Sequence, residues 1–362
     1  MNLPQLYNTQ ISLPEWFEQI GHKKTQHIRD EDLTRQTRLK TLNEITGLPY
    51  DKPEIFNSDD VLNNTEKFKI FFEREKNNTC RLRLLPLSKE APKLRTVGRT
   101  VAQSVEWFKE QKVDPENYQL NFLSFTNQPL WATIFVISRY GIFGEMVFGG
   151  HNQLTQGFYD KKPITFAYDY SIWKLSETNE KALEHLKYII HFLHIPDSSN
   201  QKKLKDKLHA EFTQRYLNGY FETVSDVTIP LQFIDYNRVL GEIYRDYKNK
   251  PQNKITTHLA GQTGSPGMVI GKVKIVMPEH ISTTQLQPDE IIVCDMTSPD
   301  YISLMKQACG IITNRGGILS HAAIISRELG KPCIVGTGNA TKILKDGQKI
   351  ILDATNGTVE IT

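Results

Sequence analysis

Cysteine is scarce in this sequence of 362 residues, and the cysteines that are present form no CxxC pair. There are four of them, at Cys80, Cys294, Cys309 and Cys333. This spacing argues against a zinc finger and against a disulfide-stabilised fold. We therefore expect the four side chains to be small buried hydrophobes in a reducing compartment. The histidines of the segment HKKTQH, His22 and His27, have no cysteine or carboxylate beside them, and we expect them at the surface without a metal.

A large excess of charge of one sign is also missing. The sequence has 44 basic and 41 acidic residues and a net charge of +3, which argues against partners such as DNA, RNA or an anionic membrane surface. No apolar run approaches the ~18 residues of a membrane-spanning helix, and the N-terminus lacks the pattern of a signal peptide. With 39% hydrophobic and 23% charged residues, the composition is that of a globular protein. We expect a soluble cytoplasmic protein of two or three domains.

The most informative segment is residues 311–340, IITNRGGILSHAAIISRELGKPCIVGTGNA. Gly316 and Gly317 allow a sharp turn that can direct backbone NH groups at an anion. Residues 322–329 then have the apolar spacing of a short helix, which Gly330 ends. The segment therefore predicts a glycine turn that leads into the positive end of a helix.

His321 lies between this turn and the helix. An imidazole there is poorly placed to hold a positive charge of its own but well placed to carry a phosphoryl group, whose oxygens the free NH groups can bind. Ser320 can cap the helix with its hydroxyl or lie near the phosphate. Thr313, Asn314 and Arg315 could have no role beyond forming the turn. For Arg315 the alternative is that its forked guanidinium binds phosphate oxygens.

Residues 264–362 resemble the swivelling phosphohistidine domain of the PEP-utilising enzymes, the family of phosphoenolpyruvate synthase, pyruvate phosphate dikinase and rifampin phosphotransferase. SPGMVIGKVKIV resembles its opening strand pair, DEIIVCDMTSPD the loop before the active segment, and DGQKIILDATNGTVEI the closing hairpin. The resemblance implies that His321 accepts a phosphoryl group from ATP and passes it to a second substrate. It also implies that the phosphate is positioned by the residues around His321, namely Thr313, Asn314, Arg315, Gly316, Gly317 and Ser320.

The rest of the chain has patterns of both helices and strands. Apolar spacing predicts helices at 30–46, 176–194 and 200–219, the last with a densely charged, solvated face. Alternation predicts a strand at 80–87, and residues 131–150 predict strands on either side of a glycine turn at 141–144. Residues 231–244 predict a strand that leads into a helix. The predicted fold class is α/β, an α+β N-terminal domain followed by the swivelling β/α domain.

A weaker resemblance, to an ATP-grasp domain, lies in the N-terminal part. GIFGEMVFGG, which contains Glu145, is similar to the GLGE segment of the family, and 221–238 resembles its two final strands. Carried over position by position, Glu222 matches a glutamate that holds magnesium, and Asp235 lies where glutamine is usual. Arg238 falls one residue after the arginine that contacts phosphate. The resemblance therefore implies ATP and Mg²⁺, with Glu145 and Arg238 near the nucleotide and with Glu222 and Asp235 near the metal.

ATP also requires cations around its phosphates. Possible phosphate ligands are Arg81, Arg83, Lys93, Arg95 and Arg99, and of these Arg83, Arg95 and Arg99 are the predicted ATP contacts. Arginines that alternate along a strand can equally well face water. The glycine-lysine motif of the family has no recognisable counterpart, and Lys23, Lys24 and Lys40 remain equal candidates for its lysine. His151, which follows the glycine segment, is either a site residue or part of a polar turn.

We predict a nucleotide-binding domain at 1–245, a linker at 246–262 and the phosphohistidine domain at 263–362. A linker of about 15 residues spans about 20 Å as a coil and near 50 Å when extended, enough to carry His321 between two sites. The sequence ends directly after the phosphohistidine domain and so has no room for the barrel that binds phosphoenolpyruvate or pyruvate. We therefore do not expect this chain alone to make phosphoenolpyruvate.

The expected activity is that of a dikinase-like phosphotransferase, which passes a phosphoryl group from ATP through His321 to an unidentified small-molecule or protein acceptor. Two alternatives remain open. The chain is a phosphocarrier or regulatory protein that a partner enzyme phosphorylates on His321, or it senses the nucleotide without transfer. The sequence leaves the oligomeric state and the choice between β- and γ-phosphoryl transfer undecided.

Overall fold

The computed structural model describes residues 13–87, 94–111, 114–125, 128–156, 162–246 and 259–362. Its helices are α1 (Leu13–Gln19), α2 (Thr25–Thr46), α3 (Ser58–Leu62), α4 (Glu66–Glu75), α5 (Val101–Glu110), α6 (Asn152–Gln156), α7 (Glu180–His191), α8 (Ser198–Leu208), α9 (Arg238–Ile243), α10 (Ile302–Gln307), α11 (His321–Glu328) and α12 (Ala340–Ile343). Short 3-10 turns lie at Pro115–Asn117, Pro278–His280 and Pro299–Tyr301.

The strands of the first half are β1 (Glu54–Asn57), β2 (Thr79–Pro86), β3 (Leu94–Thr100), β4 (Tyr118–Ser124), β5 (Pro129–Ser138), β6 (Gly141–Phe148), β7 (Ile164–Tyr168) and β8 (Trp173–Leu175). Those of the second half are β9 (Phe212–Thr213), β10 (Tyr216–Leu217), β11 (Gly219–Asp226), β12 (Gln232–Asn237), β13 (Leu259–Ala260), β14 (Gln262–Ser265), β15 (Met268–Ile275), β16 (Glu290–Cys294), β17 (Gly310–Thr313), β18 (Cys333–Val335), β19 (Lys349–Asp353) and β20 (Thr358–Ile361). The predicted α/β fold class is confirmed.

The described residues form two compact units. The first comprises those of Met1–Leu48, Trp131–Val224 and Phe233–Thr362, and the second those of Pro49–Leu130 and Ser225–Gln232. The second unit is built on a four-stranded sheet in the order β1-β4-β2-β3. Strand β2 confirms the predicted alternation at 80–87, because Leu82 and Leu84 are buried in an apolar core while Arg81 and Arg83 are partly exposed.

The first unit contains two larger sheets. A six-stranded sheet has the order β12-β11-β5-β6-β7-β8, and an eight-stranded sheet has the order β13-β20-β19-β15-β16-β17-β18-β14. Strands β15 to β18 of the second sheet pair in parallel. Helix α11 connects β17 to β18, so its N-terminus lies at the carboxyl end of a parallel strand, where α/β sheets bind ligands. The predicted closing hairpin is β19–β20. The predicted opening strand pair is wrong, because β14 pairs with β18 while β15 pairs with β16 and β19.

The N-terminal predictions are confirmed in part. The helix predicted at 30–46 is α2, and the strand and helix predicted at 231–244 are β12 and α9. The helix predicted at 200–219 is wrong in its second half, because α8 ends at Leu208 and His209 adopts a left-handed conformation with φ of 50°. The turn predicted at 141–144 is also wrong. Gly141 and Gly144 lie within β6, where a Cβ at Gly144 would be only 2.3 Å from the Ile134 carbonyl oxygen.

The linker prediction of 246–262 is wrong at its C-terminal end. Residues 247–258 lie outside the described part of the chain. Leu259, however, is buried and pairs with Val359 in the eight-stranded sheet, and Gln262 begins β14. The domain bounds built around this linker remain a prediction.

The cysteines are free, and Cys80, Cys294 and Cys333 are buried while Cys309 is half-buried. This agrees with the expectation of small apolar side chains. Of the two histidines predicted at the surface, His27 is exposed, but His22 is only partly exposed and contacts the carboxylate of Glu328 on α11. Within the described part of the chain, no helix has both the length and the apolar character that crossing a membrane requires.

Candidate functional site

The predicted glycine turn and helix are present. Strand β17 ends at Thr313, Gly316 has a φ of 97° that favours glycine, and α11 begins at His321, one residue before the predicted start. The backbone NH of Ala323 donates to the Ser320 hydroxyl at 3.4 Å, so Ser320 caps the helix. The imidazole of His321 is therefore held at the positive end of the helix dipole, as the sequence predicts.

Hydrogen bonds within the eight-stranded domain fix the turn. The Asn314 amide donates to Thr341 at 2.7 Å and to Asp295 at 3.1 Å, while the Thr313 hydroxyl donates to the backbone oxygen of Arg315 at 2.6 Å. Thr313 and Asn314 are buried. Their side chains thus hold the turn together, which is the structural role that the sequence analysis gave as one alternative for these residues. The Arg315 guanidinium lies beside Asp295, with Nε 2.9 Å from a carboxylate oxygen, on the partly exposed side of the turn.

His321 contacts the N-terminal part of the same compact unit. Its ring lies 5.4 Å from the Trp16 ring, centroid to centroid, and the two planes are inclined by 48°. Burial lowers the pKa of His321, and the nearby charge of Glu222 opposes this effect only in part. The imidazole is therefore neutral at neutral pH. A neutral ring has a nitrogen lone pair free to attack phosphorus.

Glu222 and Asp235 lie on the neighbouring strands β11 and β12. The Tyr220 hydroxyl donates to Glu222 at 2.6 Å, and His151 Nε2 is 3.0 Å from the other Glu222 oxygen. Burial acts to raise the pKa of Glu222, but His151 and Tyr220 outweigh it and lower the pKa to about 2. His151 is thus part of this site rather than of a polar turn alone.

Asp235 has the opposite environment. Its burial, reinforced by the neighbouring charge of Glu222, raises its pKa to about 7, although Arg35 lies 3.8 Å away and opposes the shift. Asp235 Oδ1 is buried and has no hydrogen-bond partner among the described residues. A buried and a half-buried carboxylate on adjacent strands, one with an unsatisfied oxygen, fit a hard cation such as Mg²⁺, which takes few protein ligands and completes its shell with water and substrate phosphates. No group of three or more His, Cys, Asp or Glu side chains in the described ranges forms a metal cage.

Arg238 pairs with Glu31, and the phosphate contact expected for it remains a prediction. Its Nε donates to Glu31 at 2.8 Å, and its terminal nitrogens contact Glu31 and the carbonyl oxygen of Leu208. Glu31 also pairs at 3.2 Å with Arg38, whose Nε donates to the Tyr236 backbone oxygen at 2.9 Å. The physical reason is the burial of Glu31, because a buried carboxylate needs cationic partners. Arg238 is therefore part of a structural ion-pair network.

Glu145 lies on β6 and contacts the glycine turn. Its Oε2 lies against Gly317, and the Gln262 side chain and the backbone NH of Ile318 are the donors that act to lower its pKa. Burial raises the pKa of Glu145 to about 7, against these two donors and the charge of Lys162. The nucleotide contact expected for Glu145 remains a prediction, and the observed contacts are with residues near His321.

The raised pKa of Glu145 predicts a pH-dependent effect of Glu145→Gln. Because the folded state binds the proton more tightly, stability is lost as the pH rises from about 4.5 to about 7, by up to about 3 kcal/mol. Glutamine has no charge to lose, and its amide can donate to the unpaired Gln262 Oε1. We expect Glu145→Gln to be more stable than the wild type at pH 8 and equally stable near pH 4.5. Urea unfolding at both pH values measures this difference, and a gain that persists at pH 4.5 would contradict it.

The arginines predicted to contact ATP lie in the other compact unit. Arg83 and Arg95 are register partners on β2 and β3, and Arg99 is exposed opposite Cys80. Arg81, weighed with them, donates to Asp51 at 2.8 Å. Lys93 lies outside the described residues. The ATP contacts of Arg83, Arg95 and Arg99 remain predictions.

Sequence reasoning missed three residues of the candidate site. Trp16 contacts its ring, Arg35 accompanies Asp235, and Tyr244 donates from its hydroxyl to the Ile318 backbone oxygen at 2.9 Å. Trp16 and Arg35 lie on N-terminal helices with no catalytic motif. Their only sequence signal is an aromatic or basic residue on an amphipathic helix, which most surface helices share.

Comparison with known proteins agrees with this geometry. The model of the family described as PEP-utilising enzyme, mobile domain, matches residues 286–357. A probable phosphoenolpyruvate synthase of Methanothermobacter thermautotrophicus is 50% identical over 99 residues, which are 27% of this chain and 14% of the relative. The uncharacterized phosphotransferase YvkC of Bacillus subtilis is 40% identical over 123 residues, 34% of this chain and 14% of that protein. The chain thus spans only about a seventh of these relatives.

Solved structures give lower similarity. An NMR structure of Enzyme I is 34% identical, with 21% of this chain and 32% of that chain covered and a TM-score of 0.20. The ADP complex of purK, an N5-carboxyaminoimidazole ribonucleotide synthetase, is 11% identical, with 56% and 44% covered and a TM-score of 0.31. We draw no functional conclusion from TM-scores this low.

Proposed function

Because residues 286–357 match the family model of the PEP-utilising enzyme mobile domain, we propose that this chain is an ATP-dependent phosphotransferase that carries the phosphoryl group on His321. The observation that carries the proposal is the position of His321. His321 is a neutral imidazole at a helix N-terminus, and the charge of Glu222 is close enough to act on its pKa. ATP is the phosphoryl donor, and the acceptor is a small molecule or a protein.

The residues divide the chemistry between them. A nitrogen of His321 attacks a phosphorus atom of ATP, an N–P bond forms, and the P–O bond to the departing phosphate oxygen breaks. Charge on the phosphoryl oxygens is stabilised by the NH groups of the turn and by Arg315. Glu222 and Asp235 would hold Mg²⁺, which neutralises phosphate charge when it is bound. The phosphoryl group then passes from His321 to the acceptor.

Trp16 and the rest of the N-terminal contact limit access of water to His321. One cluster of buried apolar side chains includes Trp16 and Phe143 as well as Ile318, Leu319 and Ala322 of the turn and α11. A phosphohistidine is prone to hydrolysis, so a dry contact protects it. The same contact has to open before a second substrate reaches His321, and this requirement agrees with a domain that changes position between two half-reactions.

Labelling with ATP tests the proposal. We expect purified protein with Mg²⁺ and radiolabelled ATP to form an adduct that is stable in alkali and lost in acid, as phosphohistidine is. Parallel reactions with β- and γ-labelled ATP identify which phosphoryl group is transferred. If ATP leaves the protein unlabelled but a cell lysate labels it, the chain is a phosphocarrier for a partner enzyme. If ATP binds and neither condition gives an adduct, the chain senses the nucleotide.

A further inference from the structure

Two side chains of the N-terminal part lie against the backbone of the same residue of the phosphohistidine turn, Ile318. The carboxylate of Glu145 lies against Gly317, close enough to the backbone NH of Ile318 for that NH to lower its pKa, and the backbone oxygen of Ile318 accepts from the hydroxyl of Tyr244 at 2.9 Å. Glu145 lies on β6 and Tyr244 directly follows α9, so the two partners come from separate elements. Ile318 precedes His321 by three residues. We refer to Glu145 and Tyr244 as the Ile318 clamp.

We propose that the Ile318 clamp positions His321 for phosphorylation by fixing the glycine turn against the sheet that bears Glu222 and Asp235. This inference rests on the proposed function of His321. Glu145 and Tyr244 lie against the backbone of Ile318. They are positioning residues that act through the backbone of the turn.

The shape of the turn supports the clamp. A Cβ atom at Gly317 would lie 1.7 Å from Glu145 Oε2 and 2.2 Å from its Cδ. Unlike Gly316, Gly317 does not have a positive φ, so its backbone conformation is open to other residues. What requires glycine at 317 is therefore the close approach of the Glu145 carboxylate.

A short and rigid path connects the clamp to His321. The backbone NH of Ser320 donates to the Gly317 oxygen at 3.0 Å, and Ser320 in turn caps α11. A shift of the Ile318 peptide therefore moves the N-terminus of α11 and the His321 ring with it. In-line attack on phosphorus is sensitive to misplacements of about 1 Å, which can change a rate by about 100-fold.

Tyr244→Phe tests one half of the clamp with the loss of a single oxygen. We expect it to lower the rate of His321 labelling at saturating ATP by about 5- to 10-fold, since one buried hydrogen bond is lost. Nucleotide affinity should stay within about 2-fold of the wild type, because the hydroxyl that is lost donates to the Ile318 backbone oxygen. Tyr301→Phe is the matched control. Its hydroxyl is equally buried and donates to the Val276 oxygen at 2.9 Å, but both residues belong to the eight-stranded domain. It should label at the wild-type rate.

Glu145→Ala and Glu145→Gln test the other half. Alanine removes the oxygen atoms near the Ile318 NH, and we expect labelling to be at least about 10-fold slower. Glutamine keeps a carbonyl oxygen at that place and should restore most of the rate. Equal rates for the two variants would overturn the role of Glu145, because only alanine leaves no side-chain oxygen at that place.

Gly317→Ala tests the close approach. The new methyl group collides with Glu145, so we expect labelling to be at least about 100-fold slower than in the wild type. The double variant Gly317→Ala with Glu145→Ala removes the collision and should recover to the rate of Glu145→Ala alone. A Gly317→Ala variant that labels at the wild-type rate, or a double variant no faster than Gly317→Ala, would overturn the proposal.

Hydrogen exchange separates the clamp from the proposed function. It needs no ATP, and mass spectrometry of peptides covering 314–321 reports on the Ile318 amide directly. We expect faster exchange there in Glu145→Ala and unchanged exchange in Tyr301→Phe. If the wild type is never labelled but exchange changes as expected, the phosphotransfer proposal fails and the contact stands. If exchange at Ile318 is the same in the wild type and in Glu145→Ala, the clamp is overturned whatever the labelling shows.

Discussion

Replacing His321 with asparagine is expected to abolish the acid-labile adduct, with a loss of at least about 1,000-fold in labelling. The imidazole supplies the attacking nitrogen, and the asparagine amide nitrogen is not nucleophilic because its lone pair is delocalised into the carbonyl. Asparagine is also tolerated at the start of a helix, so the turn and α11 should be retained. The measurement is incorporation of radiolabel from ATP with Mg²⁺, followed by acid treatment.

The control for this experiment is His280→Asn. His280 is exposed and belongs to the same domain, so it reports any general effect of losing an imidazole there. It should label like the wild type. If His321→Asn is still labelled at more than a few per cent of the wild-type rate, the phosphoryl group is carried by another residue. His151 would then be the first to examine, because it lies against Glu222 with its Nε2 at 3.0 Å.

His321 and its turn could be predicted from sequence because the signals there are local. A glycine pair, a serine cap and a short apolar helix each have a backbone or hydrogen-bond reason within a few residues of His321. The structure keeps all three features, and the helix begins one residue earlier than predicted. The phosphate-positioning roles of Thr313, Asn314, Arg315, Gly316, Gly317 and Ser320 remain predictions.

The elements predicted wrongly depend on contacts that the sequence pattern does not contain. Glycine pairs usually signal turns, but Gly141 and Gly144 lie in β6 because neighbouring backbone leaves no room for side chains at either position. The charged stretch after 198 continues a helical pattern past Leu208, yet His209 ends α8 in a left-handed conformation and the short strands β9 and β10 follow. Tertiary packing overrides local propensity in both places.

The surroundings of His321 were the least predictable part. Trp16, Arg35, Glu145 and Tyr244 are far from His321 in sequence and come from different helices and strands. Glu145 was singled out by resemblance, but for the nucleotide rather than for the turn that it contacts. The close approach of Glu145 is visible in the sequence only as a glycine at the position it approaches, Gly317. One sequence without aligned relatives does not connect such a pair.

The second large effect is expected for Asp235→Asn, in which stability and function should change in opposite directions. Ionised Asp235 is destabilising in the protein without metal, because it is buried beside another carboxylate and one of its oxygens is unpaired. Asparagine removes the repulsion, so we expect the free energy of unfolding to rise by about 1 to 3 kcal/mol at pH 8. If Asp235 holds Mg²⁺ together with Glu222, affinity for ATP in the presence of Mg²⁺ should fall by at least about 10-fold.

Calorimetric titration with ATP, with and without Mg²⁺, and urea unfolding at pH 8 measure these two effects on the same samples. Glu211→Gln is a suitable control, because Glu211 is exposed and its carboxylate pairs with Arg245. Such a pair contributes little to stability.

Arg35 supplies the competing explanation, since its guanidinium lies 3.8 Å from Asp235. If that ion pair is the main role of Asp235, the asparagine variant will be less stable than the wild type and will bind ATP and Mg²⁺ as before. A metal-binding carboxylate pair requires both a gain in stability and a loss of Mg²⁺-dependent affinity for ATP. The two carboxylates repel each other when no Mg²⁺ is bound, and bound Mg²⁺ relieves that repulsion.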